Sequence, residues 1–371
     1  MSVTSPRPRA VPFPGLAELV GQIAPGAGAV RGRPGRLAPL VAVAAACVVA
    51  ALLISHGGSF AAALERALHA NWALVIAGGL LEIASVAGYV LLLHRVVSGA
   101  SPDLRWQDSY DISLAGTAAT RLLPTAGLGG AAVTVWALRA RGVRPAELAE
   151  RLVAFLVLLY SVYMLALVAA GATVAVGLVH VAHGRGLGLV AALAGGTVIA
   201  LVLLVLAAPG VLARALQRIA RRGSGRWATL ALRAHAGLPV LRTALTRSAG
   251  ELRHPHPALL GAGAWWGFDI AVLYSMLHAF GASPHVVVLV LAYFLGTTCN
   301  VLPLPGSLSG GLTGTLIALG TPAAPALAAV LAYRTMAVWL PAGSGLLSVA
   351  RLRVSVAGWR REALAGADIR P

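Results

Sequence analysis

The chain has 371 residues, of which 58% are hydrophobic and only 11% charged. Soluble domains run at about 45–50% and about 25%, so a water-soluble globule, a disordered chain and a large soluble catalytic domain are excluded. The formal charge is +17 and all 29 basic residues are Arg; in a soluble protein this would suggest nucleic acid, but here it reads as arginine loops gathered on one side of a membrane.

Residues 1–36 hold six Pro, six Gly and five Arg, a flexible basic tail. The apolar run 37–55 exceeds the about 7–15 residues of a signal-peptide core. It is therefore expected to be a retained helix with its N-terminus in the cytoplasm. Residues 56–70 place Leu64 and Leu68 one turn apart, with Glu65, Arg66 and His69 opposite, which predicts an interfacial amphipathic piece. A spanning helix needs about 20 apolar residues, and further spans are predicted at 71–97, 147–176, 187–209, 257–280 and 324–350. The fold expected is all-α and polytopic: about six spans in one transmembrane domain, 37–353, followed by a cytoplasmic tail, 354–371. Cys47 and Cys299 make neither a disulfide framework nor a metal site.

Two further apolar segments, 109–140 and 284–320, are interrupted in the middle. The first break carries Arg121, Pro124, Gly127, Gly129 and Gly130; the second carries Asn300, Pro303, Pro305, Gly306, Gly310 and Gly311. Proline removes a backbone donor and clashes with the preceding turn. Broken backbone at membrane depth is tolerated only where protein buries it or water bathes it. Each segment is therefore predicted to be a re-entrant hairpin. Leu123 and Pro124 match Leu302 and Pro303, Gly127 matches Gly306, and Gly142 with Pro145 resembles Gly320 with Pro322. The halves, about 37–176 and 187–350, then form an inverted-topology repeat, with the substrate site near the midplane where the breaks meet. This topology puts 25 Arg on the cytoplasmic side, nine of them in the loop 210–256. That loop is expected to form amphipathic helices on anionic lipid.

Charged residues within a bilayer are costly and usually functional. Glu82 and Asp269 lie centrally in their spans and are candidates for counter-charge or proton handling. Asp111, near a helix start, reads as a cap or interface residue. Arg121 and Arg334 are candidates to bind phosphate or carboxylate, since a guanidinium grips such groups bidentately and keeps its charge. Helix N-termini near Gly129 and Gly310 would add free N–H groups, and Asn300 an amide. Tyr160 and Tyr163 read as packing or interfacial residues. A loose G-x-G-x-x-A from Gly127 to Ala132 lacks the preceding strand that a dinucleotide site requires. No catalytic residue, metal or cofactor is expected.

The two breaks, with Trp136, Arg139 and Gly142 after the first and Gly320, Leu331, Tyr333, Arg334, Trp339 and Pro341 after the second, resemble a bacterial membrane family. It is the one related to the flippase-like transmembrane region of lysylphosphatidylglycerol synthases. The resemblance covers most of 37–353. It implies a flippase- or scramblase-like transporter that moves a phospholipid or other lipid-linked anion between leaflets of the bacterial inner membrane, with membrane phospholipids as partners and no synthase activity. The family usually has Pro-Gly-Gly-x-Gly and then Glu after the second break; here Ser307 and Ser309 replace glycines and Leu312 stands at the Glu position. An acid needed for transport would then be Glu82 or Asp269. Two other readings of the residues stand beside this one: a non-transporting scaffold whose Arg-rich loop binds anionic lipid or a partner, and a transporter of a soluble organic anion.

The topology is testable. In a background lacking Cys47 and Cys299, a cysteine placed near residue 230 should resist a membrane-impermeant thiol reagent in intact cells, and one at 177–186 should react. External labelling near 230 would reverse the side assigned to nine Arg.

Overall fold

The computed structural model describes residues 70–100, 104–122, 128–179, 181, 184–223, 225–254, 256–299 and 306–367. The basic tail, the predicted first span 37–55 and nearly all of the piece at 56–70 lie outside these residues. So do Pro124, Gly127, Asn300, Pro303 and Pro305. Eleven α-helices and one 3-10 turn make up the described part: α1 Trp72–Ser98, α2 Trp106–Leu122, α3 Leu128–Ala140, α4 Pro145–Ala175, α5 Gly184–Ala207, α6 Pro209–Arg222, α7 Arg226–Arg253, the turn Pro257–Leu259, α8 Leu260–Ala279, α9 Val286–Thr298, α10 Ser307–Ala318 and α11 Ala323–Ala367. Stretches of α1, α4, α5, α8 with its preceding turn, and α11 are long and apolar enough to cross a membrane. They match the five predicted spans from residue 71 onward.

Polarity in α1 is arranged for lipid. Trp72, Ile76, Leu80 and Ile83 are exposed, while Gly78, Glu82, Ser85 and Gly88 are buried. Helices in hydrocarbon gain nothing by hiding large apolar side chains from lipid; they associate where small residues let backbones approach. Gly88 is such a point, for a Cβ there would sit 2.7 Å from Ala264 Cβ and 2.8 Å from the Gly261 carbonyl oxygen. Ser85 Oγ donates to the Trp265 carbonyl at 2.8 Å, and at the other end of the pair the Asn71 N–H donates to the Ala279 carbonyl at 3.2 Å. α1 and α8 are therefore antiparallel along the whole length of α8. α4 and α5 meet through Gly171 and Gly188 in the same way.

Each interrupted segment is two antiparallel helices. In the first, the Gly130 N–H donates to Thr120 Oγ1 at 3.0 Å, and Gly116 lies against Gly130. In the second, Thr315 Oγ1 donates to the Ala292 carbonyl at 2.9 Å, and Gly296 lies against Leu312. Both end alike. Gly142 and Gly320 take positive φ, and the residue after each donates five residues back, Val143 to Leu138 at 3.2 Å and Thr321 to Leu316 at 2.9 Å. This is a Schellman closure, for which Gly is the residue with no steric penalty. A long helix follows each time. α2 packs on α11, where Gly345 admits Ala118 and the Leu114 carbonyl. α9 packs on α4, where Tyr163 donates to the Phe294 carbonyl at 2.6 Å.

One end of the bundle collects the charges. Arg95 pairs with Glu251 at 2.9 Å, Arg247 with Glu150 at 3.7 Å, Arg141 with Asp108 at 2.7 Å and Arg351 with Asp111 at 3.3 Å. The acid that closes the first turn of α2 is Asp108, which accepts the Arg105 N–H at 3.1 Å; Asp111 sits one turn further in and ties α2 to α11. α6 and α7 pack against the same end of α4 and α5 through Leu212, Leu238, Leu241 and Leu245, and α6 buries no residue fully.

The α1–α8 seam yields a stability test. Gly88→Val must push α8 away and should cost about 1–3 kcal/mol, the usual penalty of overpacking, visible as a lower Tm in detergent. Gly263→Ala, in the same helix pair but with open space around its Cβ, should change little. Equal losses would mean the seam is not the constraint.

Candidate functional site

Glu82 is the eleventh residue of α1 and fully buried. The predicted break at 123–127 ends α2 just after Arg121, so this guanidinium projects from a helix end that stops at the middle of α1. Arg121 Nη1 donates to Glu82 Oε1 at 2.8 Å. Its guanidinium carbon also lies 5.4 Å from the centre of the Trp265 ring, a cation–π distance. The Arg121 side chain retains 12% of its exposure, against 1% for Glu82.

Asp269 comes from α8 and is 4% exposed. Its Oδ2 accepts from two phenols, Tyr333 of α11 at 2.7 Å and Tyr293 of α9. Asp269 stands opposite Glu82 across the α1–α8 seam, between the contacts of Gly88 with Ala264 and of Gly78 with Met276. Arg121, Glu82 and Asp269 are thus one buried cluster, and each half of the chain supplies part of it.

The other expected residues fall differently. Arg334 follows Tyr333 and is half-buried; among the described residues it has neither an ion-pair nor a hydrogen-bond partner. Glu82 bonds Arg121 and Asp269 bonds the two tyrosines, and neither acid bonds Arg334. Gly129 and Gly130 are buried at the start of α3. The Gly130 N–H expected to be free for an anion is held by Thr120. α10 begins at Ser307 behind Gly306, whose φ is +79°. Gly310 is consequently inside the first turn, and its N–H bonds the Gly306 carbonyl at 2.8 Å. Leu312 is fully buried in the α9–α10 interface. Tyr163 is buried and bonded to α9, as a packing residue is; Tyr160 is partly exposed at the middle of α4, with its ring against Tyr163 and Trp266.

Tyr293 and Trp265 were not singled out by sequence. Tyr293 was legible in one respect only: it is a hydroxyl set in the aliphatic run 286–292. Trp265 carries no local signal, because its contact with Arg121 depends on the crossing of α8 with α2.

Apolar spans enclosing a charged interior define a polytopic α-helical membrane protein. Residues 36–345 match the lysylphosphatidylglycerol synthase TM region, and the chain belongs to that family. No curated protein and no solved structure matches it.

The ion pair makes a sharp prediction. Breaking a buried pair by removing one partner costs about 3–5 kcal/mol, because it strands the other charge. Arg121→Met should therefore lower stability strongly, and adding Glu82→Gln should recover part of the loss. Additive losses in the double variant, measured by thermal unfolding, would show that the two side chains are not coupled.

Proposed function

We propose that the chain is a flippase- or scramblase-like transporter that carries a phospholipid or other lipid-linked anion between leaflets. The observation that carries this reading is Arg121, whose guanidinium is anchored to Glu82 through one nitrogen, stands at a helix end in mid-membrane, and keeps part of its surface accessible. A phosphodiester crossing hydrocarbon would otherwise lose its hydration with nothing in return. Arg121, with Arg334 of α11, which has no partner among the described residues, offers charge-assisted hydrogen bonds in its place. No catalytic chemistry and no cofactor enter this reading.

Support for an inverted-topology repeat comes from the element order, in which helix, hairpin and long helix occur twice, and from the antiparallel α1 and α8. Both ends of the α2–α3 pair lie at the arginine end, where Asp108 meets Arg141, while Arg121 reaches mid-α1. We read both pairs as re-entrant and the arginine end as cytoplasmic, in the inner membrane. The same end carries α6 and α7, whose arginines face the anionic headgroups in this reading.

Two other readings remain distinct from transport of lipid. A scaffold would use the α6–α7 surface and leave Arg334 without a task; a carrier of a soluble organic anion would use the same arginines without moving lipid. A leaflet-exposure assay separates them, using purified protein in liposomes with fluorescent anionic and zwitterionic phospholipids. The expected result is translocation of at least one lipid, slowed about tenfold or more in Arg334→Gln, the effect of losing one charge-assisted bond of about 1.5–3 kcal/mol. Because Arg334 holds no partner among the described residues, this variant should fold normally. No lipid movement by the unaltered protein, or an unchanged rate in the variant, would contradict the proposal.

A further inference from the structure

The cluster at the junction of the halves has a specific imbalance. Glu82 Oε1 is taken by Arg121, and Asp269 Oδ2 by the hydroxyls of Tyr293 and Tyr333. Glu82 Oε2 and Asp269 Oδ1 are buried and have no hydrogen-bond partner among the described residues. These are the remaining oxygens of two carboxyl groups that stand opposite each other across the α1–α8 seam, between the contacts of Gly78 with Met276 and of Gly88 with Ala264. Both are acceptors when ionised, so neither can satisfy the other, and the phenols and the guanidinium are already engaged at the opposite oxygens.

The surrounding charges do not resolve this. α2 contributes Arg121, α9 Tyr293, and α11 Tyr333 with Arg334 beyond it. α4 brings Tyr163, which bonds the Phe294 carbonyl, and Tyr160; α1 itself adds Tyr89 against Trp265. The turn Pro257–Leu259 adds no titratable group. Among the described residues, one guanidinium thus faces two buried carboxyls. Two buried ionised carboxylates facing each other across one seam are disfavoured, and one proton held between them gives each carboxyl a further hydrogen-bonding partner.

We propose that Glu82 and Asp269 share one proton, making the meeting point of the two halves a proton-binding site. The proton closes the α1–α8 seam as a hydrogen bond; without it, like charges face each other across that seam. If Arg121 turns from Glu82 to an arriving phosphate, Glu82 is left with the shared proton as its remaining partner. Anion and proton binding are then linked. This consequence rests on the transport reading; the shared proton does not.

Infrared difference spectroscopy tests the site on the full chain, purified in an ester-free detergent, stepped from neutral to alkaline pH. The unaltered protein should carry a protonated-carboxyl carbonyl band at neutral pH that disappears on the step. The band should be absent from Glu82→Gln and from Asp269→Asn. Carboxyl 13C labelling of all Glu or of all Asp in the unaltered protein supplies the same assignment without any substitution, and one of the labels should move the band. Absence of the band at neutral pH, its persistence in both variants, or its indifference to both labels would overturn the proposal. No lipid moves in this measurement, so a failed translocation assay and a failed proton site are separate results.

Discussion

A guanidinium at the centre of a bilayer must be paired or wet, since leaving it on lipid costs at least about 2.5 kcal/mol even on the mildest scale. The Arg121–Glu82 ion pair meets that constraint, and much of the architecture follows from it. α2 has to end where α1 is half-way across, so the chain after Arg121 must turn back. α8 has to cross α1 closely enough for Asp269 to reach the same place, and the stripe of Gly88, Ala264 and Gly261 permits that approach. α9 and α11 then each supply a phenol to Asp269. Five helices contribute one polar group apiece, and these are spread over both halves of the sequence.

That sharing explains why each hairpin rests on the long helix of the other half rather than only on its own neighbours. A cluster drawn from both halves is also sensitive to their relative movement. Large apolar side chains stay outside on α1 and α5, where lipid accommodates them without cost. Small residues line the seams, so sliding along these seams disturbs little besides the polar contacts. The ion pairs of the arginine end hold α1, α2, α3, α4, α7 and α11 at one surface, which leaves the central cluster as the point where the halves grip each other in mid-membrane.

The spans were legible because length and apolarity are one-dimensional properties; α1, α4, α5, α8 and α11 follow from them directly. The paired closures at Gly142 and Gly320 were legible because a Schellman turn needs a positive φ that Gly alone adopts freely. Glu82, Asp269 and Arg121 stood out because ions are rare in such surroundings. Their pairing was not legible, since it depends on which helices cross at which depth. The anion-binding role of helix starts at Gly129 and Gly310 was read too simply: a glycine marks room for backbone approach, and here Thr120 and the first turn of α10 take the N–H groups instead. Arg334 shows the opposite limit, a charge whose position was legible and whose partner within the described chain does not exist.

The central claim is that lipid headgroups reach this buried cluster. Photolabelling tests it directly, with an anionic phospholipid that carries its photoreactive group on the headgroup, incorporated with the protein in nanodiscs and mapped by mass spectrometry. The account predicts adducts on the peptides around Arg121 and Arg334, suppressed by excess unlabelled anionic lipid. Adducts confined to α6, α7 and the loop ends at the membrane surface would show that headgroups stop at the interface, and the cluster would then be a structural joint alone.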